Sequence, residues 1–381
     1  MKRKKVLFFI YRLGGGGAAR TILNIVNYLD RNKFEPMLVT LNYNYDYEQY
    51  VKDDVKFVKL KTKRLRSAII PLAKLIRKER PELLFSTIPN YNTVVILAKL
   101  LSCTKTKLIV REAAFLGGNF KEDMKLKIYG LLYRFAKRVV ALSHGVKENL
   151  VNRYHIKREQ IEVIYNPVDL YHINEQAKKP LPDDLKHLFT NEQIRSIVSA
   201  GRLVKEKDQQ TLIKAFAKVQ KEIDSQLIIL GEGELETELQ TLTKQLDIDD
   251  KVHFVGFQKN PYVFFQRADL FVLTSLNEGF GHVFVEAMAT GTPIVSTRCN
   301  PGAEEVLENG EYGMLAEVGD VDDVAAKMMK ALQMTEDERA SFVQKGYKRA
   351  EQFNVTNIVN QYEKLFLATI GKERSSLPQN G

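Results

Sequence analysis

The chain has 381 residues, 44% of them hydrophobic, with two cysteines and no low-complexity tract. That length predicts two or three domains, and the composition excludes a disordered or disulfide-stapled chain. Charge is uneven: residues 1–170 hold 33 Lys+Arg against 15 Asp+Glu, and the remainder holds 24 against 32, so the first part is suited to a polyanionic partner.

The opening MKRKKVLFFIY imitates a signal peptide, but its apolar run is six residues long and stops at Arg12. A signal needs about 7–15 apolar residues, so a first strand is predicted. No run approaches the roughly 18 apolar residues of a membrane span. Cys103 and Cys299 give no disulfide framework or metal spacing, and both are expected to be buried in a reduced cytosol.

Short apolar runs then alternate with helical patterns. Strands are predicted at 6–11, 36–41, 55–60, 83–87, 107–112, 138–143 and 161–166, with helices near 18–31, 66–79, 92–102, 121–137 and 145–154. Residues 167–193 contain three prolines and many charges, and read as a linker and hinge. Alternation resumes with strands at 196–201, 226–231, 251–257, 270–275, 292–297 and 313–318. Helices fall near 208–222, 234–246, 261–268, 283–290, 303–308 and 321–333. One long helical stretch, 336–370, and a polar tail expected to be disordered close the chain. Repeated βαβ units predict parallel sheets covered on both faces, as two doubly wound α/β domains in tandem.

Three stretches carry chemistry. LGGGGAAR (13–20) follows the first strand and opens a helix; its glycines bring backbone amides close to a ligand, and a helix N-terminus suits phosphate. Ala19 stands where a dinucleotide fingerprint has its third glycine, and Asn42 and Asn44 occupy the region of the ribose-binding acid, which argues against a nicotinamide dehydrogenase. SAGRLVKEKD (199–208) places Arg202 after a strand and Lys207 near the next helix, a plausible diphosphate clamp. NEGFGHVFVEAMATGTPIVS (277–296) sets Glu278 in a loop after a strand and Glu286 at the opening of the following helix, where ligands bind in open α/β sheets. A retaining hydrolase pair, with carboxyls about 5 Å apart, does not suit that placement; acceptance of bonds from sugar and ribose hydroxyls does.

Together GRLVKEK, EGFGHVFVEAMATGTPIVS and NPGAEEVLENGEYGMLAEVGD resemble the retaining glycosyltransferases of family 4, most strongly over 196–320. The resemblance implies the GT-B fold, two Rossmann-like domains facing across a cleft. The first, 1–170, would bind acceptor, with a helix at about 355–372 packing back on it; the second, 171–354, would bind nucleotide sugar. It implies a UDP-sugar donor, with Arg202 and Lys207 on the diphosphate and stabilising leaving-group charge. Glu278 would sit at the sugar hydroxyls, Glu286 at the ribose, the amides of Phe280 and Gly281 at sugar or diphosphate, and Gly16 and Gly17 at the phosphates. Arg202, Lys207 and Glu278 are the implied catalytic residues. No cofactor or divalent ion is implied, and the sequence shows no His/Asp ligand spacing.

Many members carry a histidine after the strand matching KLIVRE, where this chain has Arg111 and Glu112. Either residue could orient the acceptor or be structural. His144, after the next strand, does not match that histidine and reads as a loop residue. The resemblance implies a glycan or lipid-linked acceptor, and in this family acceptors are often lipid-linked and lie at the cytosolic membrane face. The basic first part then fits an anionic membrane better than nucleic acid, for which no module is present. Segments 64–80 and 121–138 mix cations with apolar residues at helical spacing; those apolar stripes are expected to cover the sheet. The expected protein is a cytoplasmic, peripherally membrane-associated glycosyltransferase of bacterial polysaccharide or glycoconjugate synthesis. Its rivals are a non-catalytic partner subunit and a sugar-nucleotide epimerase of the same fold.

Overall fold

The computed structural model describes residues 2–14, 16–44 and 46–371, so the polar tail from 372 on lies outside the described residues. The chain divides into two compact units. One comprises the residues up to Pro167 together with those from Val355 on; the other is Val168–Asn354.

The first unit runs β1 (Lys4–Phe9), α1 (Gly17–Tyr28), β2 (Phe34–Leu41), β3 (Lys56–Leu60), α2 (Ile69–Glu79), β4 (Leu83–Thr87), α3 (Pro89–Ser102), β5 (Lys107–Glu112), α4 (Phe120–Tyr133), β6 (Arg138–Ala141), α5 (His144–Asn152) and β7 (Ile161–Val163). Its seven strands lie in the order β3-β2-β1-β4-β5-β6-β7, with every neighbouring pair parallel. Val6 through Phe9 are wholly buried, as expected of a strand covered on both faces.

The second unit runs α6 (Leu170–Ala177), β8 (Arg195–Ala200), α7 (Gln209–Val219), β9 (Ser225–Leu230), α8 (Glu236–Gln245), β10 (Val252–Phe254), α9 (Tyr262–Phe265), β11 (Leu270–Leu273), α10 (His282–Ala289), β12 (Ile294–Thr297), α11 (Gly302–Val306), β13 (Met314–Ala316), α12 (Val321–Leu332) and α13 (Glu336–Glu351). Its parallel sheet has the order β10-β9-β8-β11-β12-β13. A last helix, α14 (Val355–Ile370), belongs to the first unit, where Ile358, Tyr362 and Phe366 join a core with Phe8, Phe34 and Phe85.

Two expectations need correction. The stretch 336–370 is not one helix: it breaks at 352–354, where Phe353 turns inward, its ring 5.2 Å from Phe280 and its carbonyl accepting from Val168 N at 2.9 Å. Nor is 167–193 a linker. Asp169 caps α6 by accepting from His172 N at 2.9 Å, and α6 buries Leu170, Ile173 and Ala177. Farther on, Leu188 is buried and its carbonyl accepts from Gln226 Nε2. Prolines and charges here decorate structure that belongs to the second unit.

Candidate active site

Loops that leave two neighbouring parallel strands toward opposite halves of a sheet open a crevice at its carboxyl edge. In the second unit that switch falls between β8, which leads to β9 and β10, and β11, which leads to β12 and β13. The loop after β8 carries Arg202 and Lys207; the loop after β11 carries Glu278, Phe280 and Gly281. The two loops are tied together: Leu276 N donates to Glu206 O at 2.9 Å, and Thr274 Oγ1 to Asp208 O at 2.8 Å.

On that frame Lys207 Nζ donates to Glu278 Oε1 in an ion pair, and Ser275 Oγ donates to the same oxygen at 2.9 Å. Oε2 makes no hydrogen bond among the described residues. The Lys207 and Glu278 side chains are 20% and 13% exposed, so the pair is shielded from salt yet reachable. Arg202 is exposed; its carbonyl accepts from Gln209 Nε2 at 2.9 Å, and its guanidinium has no protein partner among the described residues. Gly281, at φ 77°, caps the start of α10, and Phe280 buries its ring against Phe353 and His282. Glu286 lies a turn into α10 rather than at its first residue, and is buried. Gly16, at φ 131°, and Gly17 open α1 at the carboxyl edge of the other sheet, where β1 and β4 form the corresponding switch.

Sequence reasoning assigned no role to the residues that hold Glu278. Gly302 N donates to Glu278 O at 2.8 Å, and a Cβ at Gly302 would come within 2.8 Å of that oxygen, so only glycine allows the approach. Thr297 Oγ1 donates to Ser275 O at 2.7 Å. Cys299 lies buried beneath; burial, and then the Glu278 charge, push its thiol up to about 12. The visible signal was the NPG run at 300–302. Cys103, by contrast, is exposed at the C-terminus of α3, against expectation, because the chain there turns left-handed (φ 52°) out of the helix.

Arg111 and Glu112 are both wholly buried in the first unit, so neither presents its side chain to an acceptor. Arg111 donates to Thr87 Oγ1 at 3.0 Å and to Asn166 Oδ1. Glu112 accepts from the Tyr133 hydroxyl, from Asn92 Nδ2 at 3.1 Å and from the Tyr154 hydroxyl at 3.3 Å. Burial pushes its carboxyl up to about 7 against the pull of those donors and of Arg111. This is a structural network that joins α3, α4 and β5. His144 is the first residue of α5 rather than a loop residue, and is exposed. Among the described residues no group of three or more His, Cys, Asp or Glu is placed to hold a metal ion, and no helix is long and apolar enough to cross a membrane.

Two family models match the chain: Glycosyltransferase Family 4 over residues 15–172 and Glycosyl transferases group 1 over 182–349. An enzyme of Campylobacter jejuni, N-acetylgalactosamine-N,N'-diacetylbacillosaminyl-diphospho-undecaprenol 4-alpha-N-acetylgalactosaminyltransferase, is 31% identical over 383 residues, spanning 96% of this chain and 100% of its own. The chain is a group 1 glycosyltransferase. Its fold matches a Rickettsia africae glycosyltransferase with TM-score 0.83 at 16% identity, covering 98% of this chain and 100% of that one. It also matches Anabaena HepE in complex with UDP, TM-score 0.79 at 22% identity, over 95% and 99%. The glycosyltransferase is thus an α/β protein of the GT-B class, with two Rossmann-like units.

Proposed function

We propose that this enzyme transfers a sugar from a UDP-sugar, with retention, to a lipid-linked glycan acceptor in bacterial polysaccharide or glycoconjugate synthesis. The observation that carries the reading is the Lys207–Glu278 pair, set between two tied loops at the switch point. A donor offers that pair what each member needs: diphosphate oxygens for the ammonium, and sugar hydroxyls for the carboxylate. Arg202, with no partner for its guanidinium among the described residues, joins Lys207 on the diphosphate. As the glycosidic bond to the diphosphate breaks, negative charge grows on the leaving oxygen, and cations already in place stabilise it without reorganisation. Glu286 takes the ribose hydroxyls, and Gly16 and Gly17 supply amides to the phosphates. The positive charge for the leaving group is assigned to side chains, and no divalent ion is invoked.

The acceptor class is supported by the Campylobacter relative, whose name specifies an undecaprenol diphosphate acceptor, and the UDP donor by the bound nucleotide of HepE. The family 4 resemblance supports retention. The basic first unit would rest at an anionic membrane surface on the cytoplasmic side. A screen of UDP-sugars with membrane lipid extract, reading UDP release and lipid-linked product, tests the assignment. Lipid-dependent UDP release with one donor is expected. Conversion of the free sugar nucleotide without acceptor would identify an epimerase instead, and no turnover with any donor would sink the reading.

A further inference from the structure

Helix α4 is apolar on two opposite sides. Leu126, Tyr129, Gly130 and Tyr133 are buried in the first unit, as a covering helix requires. At about 100° per residue, Phe120, Met124, Ile128 and Leu131 fall within about 80° of one another, on the side turned away from that buried face. All four are exposed: Phe120 at 82%, Ile128 and Leu131 at 54%, Met124 at 45%. Phe135, in the turn that follows, is exposed at 51%. The expectation that apolar residues of 121–138 all cover the sheet is therefore wrong for this stripe. For 64–80 it holds for Leu72, Ala73 and Ile76 of α2, which are buried, but not for Ile70, which is 62% exposed.

The margins of the stripe are cationic. Exposed Lys121 and Lys125 lie along one flank, and exposed Lys127 and Arg134 along the other. Neither acid of the helix falls within the stripe: Glu122, exposed in the first turn, projects at an angle away from it, and Asp123 pairs with Arg153 at 2.5 Å. The helix is already formed and capped, since Asn119 accepts from Glu122 N at 3.0 Å. An exposed apolar stripe between two rows of cations matches the layered chemistry of an anionic bilayer surface, hydrocarbon below and phosphate at the rim. A protein partner would have to supply an apolar patch edged by two rows of acids to answer both the stripe and the cations, whereas a bilayer of anionic lipid supplies both layers everywhere on its surface.

We propose that α4 docks the enzyme on an anionic lipid bilayer, its four apolar side chains entering the acyl boundary and its flanking cations resting on headgroup phosphates. The helix begins just past the carboxyl end of β5, the same edge at which Gly16 and Gly17 lie, and Phe120 sits at that end. Docking would present this edge to a diphosphate carried at the membrane surface. The biological purpose rests on the lipid-linked acceptor proposed above; the test reads lipid binding alone.

The full chain is sedimented with phosphatidylcholine vesicles, with and without phosphatidylglycerol. Wild type is expected to partition onto the anionic vesicles. A variant carrying Phe120→Ser, Met124→Ser, Ile128→Ser and Leu131→Ser should lose at least tenfold in partitioning while keeping the wild-type unfolding midpoint. Lys121→Glu with Lys125→Glu should lose about fivefold per cation, on anionic vesicles only and less at high salt. The chain has no tryptophan, so Phe120→Trp gives a single reporter in a minimally changed protein. Its emission should shift to the blue and be quenched by brominated acyl chains. Wild-type partitioning by the serine variant, or an indole that stays in water, overturns the proposal. So does a wild-type dimer made monomeric by the serine changes with no vesicle binding by either, which would assign the stripe to a second copy. Vesicle binding without turnover of any UDP-sugar would overturn the proposed transfer and leave the docking helix standing; the reverse result would do the opposite.

Discussion

Each unit places a cation and a glutamate at the carboxyl end of a parallel strand, and the two placements have opposite fates. In the second unit Lys207 and Glu278 come from different loops and stay partly open to solvent, with Oε2 of Glu278 unengaged among the described residues. In the first unit Arg111 and Glu112 end one strand and are sealed under α3, α4 and the side chain of Tyr154. What separates them is not residue type but what lies above the strand end. Loops that diverge leave a crevice, whereas a helix laid across the strand end brings tyrosines and an asparagine onto the carboxylate. The open pair leaves a carboxylate oxygen unengaged among the described residues; the closed pair spends its hydrogen-bonding capacity on the fold.

The contrast is broken most sharply by Lys207→Met. If the open pair serves transfer, kcat/KM should fall by about 10²–10³, the usual cost of one lost charge-stabilising donor, with the unfolding midpoint little changed. Steady-state UDP release measures it, and near-normal turnover would place the diphosphate elsewhere. The closed pair should answer in stability instead. The folded-state pKa of Glu112, about 7, lies above the ordinary 4.5, so the native protein holds a proton that the unfolded chain releases. Stability contributed by that proton is present below about pH 4.5 and is lost as pH rises to about 7, a fall of up to about 3 kcal/mol. Glu112→Gln should flatten that slope in denaturant titrations at several pH values while leaving donor-only hydrolysis of UDP-sugar in place. A smaller effect is expected from Gly302→Ala, whose methyl must push on the Glu278 carbonyl: about 1–3 kcal/mol of stability, with donor KM raised more than kcat is lowered. Equal KM in that variant would mean that the 300–302 loop does not position Glu278.

The strands were legible because each is an apolar run buried on both faces and bounded by turn residues; 83–87 and 107–112 match β4 and β5 at both ends. The location of Lys207 and Glu278 was legible from strand ends and from the family resemblance, but their pairing, across 71 positions of sequence, was not. For Arg111–Glu112 the sequence left an acceptor-orienting and a structural role open; the structural one holds, and it was not decidable from the sequence because the tyrosines that bury Glu112 lie 21 and 42 positions away. The periodicity of α4 was seen, yet one apolar stripe and two give similar local spacing; only the packed helix shows which side meets the sheet. The break at 352–354 was hidden because helical composition continues through it, and Phe353 is drawn out of the helix by contacts with Phe280 that sequence order does not display.

The route of the last helix bears on how the protein is made. The second unit is one continuous segment, whereas the first is missing a piece of its core until α14 has been synthesised. On a ribosome, the segment translated later can therefore finish folding before the segment translated first. Until then Phe8, Phe34 and Phe85 face the place that Tyr362 and Phe366 will fill. A message cut short before codon 355 would spare the continuous second unit and leave the first with its apolar interior open.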